Sequence, residues 1–84
     1  MIRVKFFATL REITGVRIVE VEDFDDVGSL LNMLYKKYGD EFKKEIETKN
    51  MILVNGKNIL DLQGYETKLK DGDEVSIFPP VGGG

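Results

Sequence analysis

Ile2, Val4 and Phe6 alternate with Arg3, Lys5 and Phe7 at the start of the chain. A period of two marks a strand with one covered face. Residues 17–22, Arg-Ile-Val-Glu-Val-Glu, alternate in the same way, and residues 11–16 between them read as a turn centred on Gly15. So short a connection predicts an antiparallel hairpin. The period then changes. Val27, Leu30, Leu31, Leu34 and Tyr38 recur at spacings of 3, 1, 3 and 4, which places them on one stripe of a helix over residues 27–38. Asp25 and Asp26 offer N-cap oxygens before it. Lys36 and Lys37 suit the negative end of its dipole, and Gly39 supplies a stop. Residues 40–48 are polar apart from Phe42 and Ile46, which leaves a loop or one further short helix as alternatives.

Met51-Ile52-Leu53-Val54 is an apolar run too short for a helix and reads as a buried strand. Asn55-Gly56 closes it with a strong hairpin signal, and a brief strand over residues 57–60 should answer it. Residues 61–70 read as irregular, with Leu69 buried. Asp71-Gly72-Asp73 reads as a turn, and Glu74–Phe78 as the last strand, with Val75 and Ile77 inward. Pro79-Pro80 ends it, because neither can donate to a ladder. Hairpin, helix, hairpin, strand is an α+β order. One main helix across a four- to five-stranded mixed sheet would bury both apolar stripes. This is the β-grasp arrangement, with the first and last strands parallel and central.

Composition narrows the chemistry. Eighty-four residues allow one domain, here residues 1–80, followed by a tail over residues 81–84. The chain has neither Cys nor His. It therefore lacks a thiolate nucleophile, the usual neutral-pH acid–base group and the commonest metal ligands, and no metal site is expected. Fifteen acids against twelve bases give a net charge of −3, which argues against a nucleic-acid partner. No apolar run is long enough for a membrane span, and the first residues alternate rather than forming a signal peptide. A cytoplasmic protein is expected. The paired acids Asp25/Asp26 and Asp71/Asp73 read as caps and turns. Tyr35, Tyr38 and Tyr65 read as packing residues, and Lys36-Lys37 and Lys43-Lys44 as solvated faces.

The end of the chain differs from all of these. A stop after Gly82-Gly83-Gly84 puts an α-carboxylate of pKa about 3.5 on a thread without side chains. It is ionised at neutral pH and already nucleophilic, so it needs no general base of its own. Residues 79–84, fully extended, reach at most about 20 Å, far enough to enter another protein's active site. Ordering them costs about 1–2 kcal/mol per residue, so a flexible tail is expected until a partner binds.

Two stretches carry a resemblance. Phe6-Phe7-Ala8-Thr9-Leu10-Arg11-Glu12-Ile13-Thr14-Gly15 is similar to the FFAxxRExxG opening of the MoaD family, the small subunit of molybdopterin synthase. Residues 69–84, Leu-Lys-Asp-Gly-Asp-Glu-Val-Ser-Ile-Phe-Pro-Pro-Val-Gly-Gly-Gly, are similar to that family's LxDGDEVxxFPPVxGG ending. The resemblance implies a ubiquitin-like β-grasp sulfur carrier of the MoaD/ThiS type that is not catalytic alone and binds no cofactor itself. It implies that a ubiquitin-activating-type adenylating enzyme (MoeB-like) uses ATP and Mg to adenylate the carboxylate of Gly84. Sulfur then replaces AMP, and the thiocarboxylate enters the molybdopterin synthase large subunit (MoaE-like) in molybdenum cofactor biosynthesis. Gly83 and Gly84 fit a channel that closes around bare backbone.

Pleat suggests the docking surface. If Val4 and Phe6 face the helix, Arg3, Lys5 and Phe7 face away. With Val75 and Ile77 inward, Glu74, Ser76 and Phe78 point outward. Phe7 and Phe78 would then meet on the open face, rimmed by Arg3, Lys5 and Arg11, unless the Phe6-Phe7 doublet places Phe7 in the core. The resemblance likewise assigns Phe7, Arg11 and Phe78 to docking, with Pro79, Pro80, Val81 and Gly82 following into the partner. Three other readings compete. Archaeal ubiquitin-like modifiers share the Gly-Gly end and attach to target-protein lysines. A thiamine-pathway carrier is normally shorter and lacks the Phe-Pro-Pro-Val ending. A β-grasp interaction module with an inert tail is the third.

Overall fold

The computed structural model describes residues 1–48 and 50–78. Its first strand, β1 (Ile2–Phe6), buries Ile2, Val4 and Phe6 completely and exposes Arg3, so the alternation in the sequence is that of the pleat. β1 pairs antiparallel with β2 (Ile18–Val21), Lys5 lying opposite Ile18. The strand pairing is the one expected, but the connection is not a turn over residues 11–16. It is a short helix, α1 (Thr9–Thr14). Leu10 is fully buried and Ile13 packs against the core, and helical geometry is what puts this i, i+3 pair on one side. Gly15 still ends the segment, at φ 79°, its N–H donating to the Arg11 carbonyl at 2.8 Å.

The main helix, α2 (Val27–Tyr38), buries Val27, Leu30, Leu31 and Leu34 in the same apolar cluster as the inner face of the sheet. Asp26 caps it. Its carboxylate accepts the Ser29 N–H at 2.8 Å, and that bond holds its pKa below the ordinary value. Leu31 is 2% exposed. Leu31→Ala is expected to cost about 2–5 kcal/mol in denaturant unfolding; a loss below about 1 kcal/mol would contradict the packing described.

Of the two alternatives for residues 40–48, the structure takes the helix, α3 (Asp40–Glu47). Gly39, at φ 92°, closes α2 through its N–H to the Tyr35 carbonyl and opens α3 directly. Phe42 is fully buried, edge-on to Phe6 at 5.8 Å and 5.3 Å from the Tyr38 ring. Ile46 follows it into the core.

The sheet runs β2-β1-β5-β3-β4. β5 (Glu74–Phe78) lies parallel to β1, Val4 opposite Val75 and Phe6 opposite Ile77. On its other side it pairs antiparallel with β3 (Met51–Val54). The four-residue run of β3 is not buried throughout. Ile52 and Val54 face the core, while Met51 is 40% exposed, because this antiparallel pair has a second, uncovered face. Asn55 and Gly56 have φ of 51° and 85°, the positive pair that a two-residue hairpin turn requires.

β4 (Lys57–Asn58) is shorter than residues 57–60. The Asn58 side chain accepts the Leu60 N–H at 2.9 Å, turning the chain into a 3-10 turn at Ile59–Asp61. A second such turn, Gly64–Glu66, follows, and Leu69 is buried as expected. Asp73 is 6% exposed and belongs to a structural network. It accepts the Asn55 side-chain amide and the Lys70 N–H, each at 2.9 Å, while the Asn55 oxygen accepts the Glu74 N–H. Asp71 pairs with the Met1 amino group. Among the described residues no helix is long and apolar enough to cross a membrane.

Candidate functional site

The two central strands are parallel neighbours with Val4, Phe6, Val75 and Ile77 fully buried. The next residue of each on the opposite face is aromatic. Phe7 follows the end of β1, and Phe78 ends β5. Their rings stack 4.2 Å apart at 10°, and both are half-buried. Of the two placements open to Phe7, the structure takes the outer face.

Local backbone brings Arg11 to the same place. Ala8 has φ 52° and ψ −127°, a positive-φ conformation that residues with a Cβ rarely adopt. The bend directs the chain from Phe7 into α1. From there Arg11 Nε donates to the Phe6 carbonyl at 3.0 Å, and the guanidinium lies 5.4 Å from the centre of the Phe7 ring. Phe7, Phe78 and Arg11, expected together from the sequence, are together.

Around them lie residues that the sequence reading did not single out. Met51 is opposite Phe78 in the β3–β5 register. Beside Lys5, Ile18 is 49% exposed. Carrying the inside–outside alternation through β2 and β3 would have found both. Lys5 pairs with Glu74 at 3.3 Å. A groove of about 350 Å³ runs between Lys5, Phe7, Arg11, Arg17 and Ile18. Phe78, the last described residue, belongs to this patch and stands six positions before Gly84. Pro79, Pro80, Val81, Gly82, Gly83 and Gly84, and with them the expected domain boundary at residue 80, lie outside the described residues.

The remaining candidates divide. Tyr35 and Tyr38 pack against the core, and burial pushes the Tyr35 hydroxyl up to about 12, so it stays protonated. Tyr65, expected to pack, is 56% exposed. The 3-10 turn sets its backbone against α2, where a Cβ on Gly28 would meet the Tyr65 carbonyl at 3.3 Å. Lys36, Lys37, Lys43 and Lys44 are exposed, as a solvated face requires.

Comparison with known proteins gives consistent matches along the whole chain. The profile of the ThiS family matches residues 4–84. Small archaeal modifier protein 3 of Haloferax volcanii is 38% identical over 90 residues, which cover 99% of this chain and 98% of that protein. The molybdopterin synthase sulfur carrier subunit of Haemophilus influenzae is 31% identical over 84 residues, the full length of both. Among solved structures, small archaeal modifier protein 1 of Methanosarcina acetivorans superposes with a TM-score of 0.86 at 38% identity. That match covers 99% of this chain and 95% of the other.

Proposed function

The chain belongs to the ThiS family of MoaD/ThiS-like β-grasp proteins, and from that premise we propose that it is a sulfur carrier, the sulfur-donor subunit of a molybdopterin synthase. The observation that carries this reading is the Phe7–Phe78 stack beneath Arg11, on the sheet face opposite the core, with Phe78 only a few residues before Gly83 and Gly84 in sequence. Aromatic and Arg anchors are the residue types that dominate protein interfaces. A partner seated there would receive the tail as well.

The chemistry follows from the carboxylate. A carboxylate is a poor acyl donor because its leaving group would be oxide. In a MoeB-like enzyme holding ATP and Mg, one oxygen of the Gly84 carboxylate attacks the α-phosphorus and pyrophosphate leaves. The acyl-adenylate has AMP as a good leaving group. Sulfur at the sulfide level attacks the acyl carbon, AMP leaves with the electron pair of the broken C–O bond, and the resulting thiocarboxylate passes to the MoaE-like large subunit. This chain supplies the docking face and the reacting terminus, and the partners supply the catalytic groups.

A second reading has its own support. Two of the relatives at 38% identity, each matching 99% of this chain, are archaeal modifiers. Tail activation would be the same, but a target-protein lysine amine would attack the acyl group, giving an amide. Immunoblots of native-cell lysate separate the two. The carrier reading expects one species at the free mass. A ladder of larger species that disappears when Gly84 is deleted would replace it with the modifier reading.

A further inference from the structure

We infer that the groove beside Phe7 is a selectivity site for an acidic segment of the partner, with Arg17 as its outer determinant. The inference rests on the docking face proposed above and names the chemistry of what docks there. Charge is unevenly spread along the chain. Residues 1–17 hold four bases, Arg3, Lys5, Arg11 and Arg17, and one acid, Glu12, whereas the rest holds eight bases and fourteen acids. The fold gathers Lys5, Arg11 and Arg17 around one groove.

Among the described residues, only Lys5 of these three has a carboxylate within ion-pair distance, that of Glu74. The other acids on the bordering elements, Glu12 on α1 and Glu20 on β2, are exposed and pair with neither arginine. Arg11 spends its Nε on the Phe6 carbonyl, which orients the guanidinium and leaves its terminal N–H groups for an incoming carboxylate. Arg17 is exposed but its backbone is anchored, the carbonyl accepting the Phe6 N–H at 2.9 Å. Phe7 and Ile18 give the same groove apolar walls. Two guanidinium groups without a carboxylate partner among the described residues, set between apolar walls, complement an Asp or Glu flanked by an apolar side chain. On a chain with net charge −3, such a cationic spot also orients the encounter with an acidic partner.

The test uses the full chain and its cognate adenylating enzyme. Binding is measured by calorimetry at 50 mM and 300 mM NaCl for wild type, Arg17→Glu and Lys57→Glu. Lys57 lies on β4 at the far edge of the sheet and controls for net charge. Thermal melting confirms that the variants are folded. Arg17→Glu is expected to weaken binding by about tenfold or more at the lower salt, and by less at the higher, because screening shortens the reach of exposed charges. Lys57→Glu should change affinity less than about twofold. In ATP–pyrophosphate exchange, Arg17→Glu should raise the carrier concentration needed for half-maximal rate by about tenfold, in step with the loss of binding. Wild-type affinity in Arg17→Glu, equal losses in both variants, or no binding by wild type would each overturn the inference. Binding that depends on Arg17 but supports no exchange would instead leave the groove and remove the carrier reading.

Discussion

Phe7→Ala and Phe78→Ala are each expected to weaken binding to the adenylating enzyme by about 2 kcal/mol or more, roughly thirtyfold. The same changes should cost folding much less. Both rings lie on the sheet face opposite the core and are half-buried. A stacked aromatic pair contributes about 0.5–1.5 kcal/mol beyond its buried area. A bound partner would bury what solvent now reaches, so each ring gains further contacts in the complex that the free fold does not supply. Calorimetric titration and denaturant unfolding on the same variants decide the point. Large unfolding losses with unchanged partner affinity would show that the stack serves the fold alone.

The second large effect concerns the reach of the tail. Deleting Gly84 leaves a Gly-Gly end one residue short, by about 3.3–3.6 Å, and the carboxylate should miss the α-phosphorus. A misplacement of about 1 Å can cost roughly 10²-fold in rate, so exchange of pyrophosphate into ATP should fall by at least about that factor. Adding one residue after Gly84 should do the same by carrying the carboxylate past its target. Equal exchange by wild type, deletion and extension would point to the inert module.

Much of this architecture is written in alternation. Ile2, Val4 and Phe6, the Val27-to-Tyr38 stripe and the Asn55-Gly56 turn each rest on a local period or a local φ requirement, and each stands in the structure as read. The docking trio was legible for the same reason, since Phe7 and Phe78 follow from pleat once the two strands are neighbours. Where local signals were thin, tertiary packing decided. Leu10 and Ile13 make too short an apolar pattern to announce a helix, yet burying Leu10 requires one. Phe42 and Ile46 left residues 40–48 undecided, and the aromatic cluster with Phe6 and Tyr38 settles them as helix. Alternation marks Ile18 and Met51 as outward residues, but their places beside Lys5 and Phe78 come from cross-strand register, which a single strand's pattern does not contain.

The central claim is that the C-terminal carboxylate carries sulfur. The most direct test is the intact mass of the protein purified from its native cells without reductant, with fragmentation to place any modification. The account predicts a species about 16 Da heavier than the unmodified chain, the difference between sulfur and oxygen, confined to the C-terminal fragment ending in Gly84. An unmodified mass throughout, in cells whose adenylating enzyme is active, would contradict it.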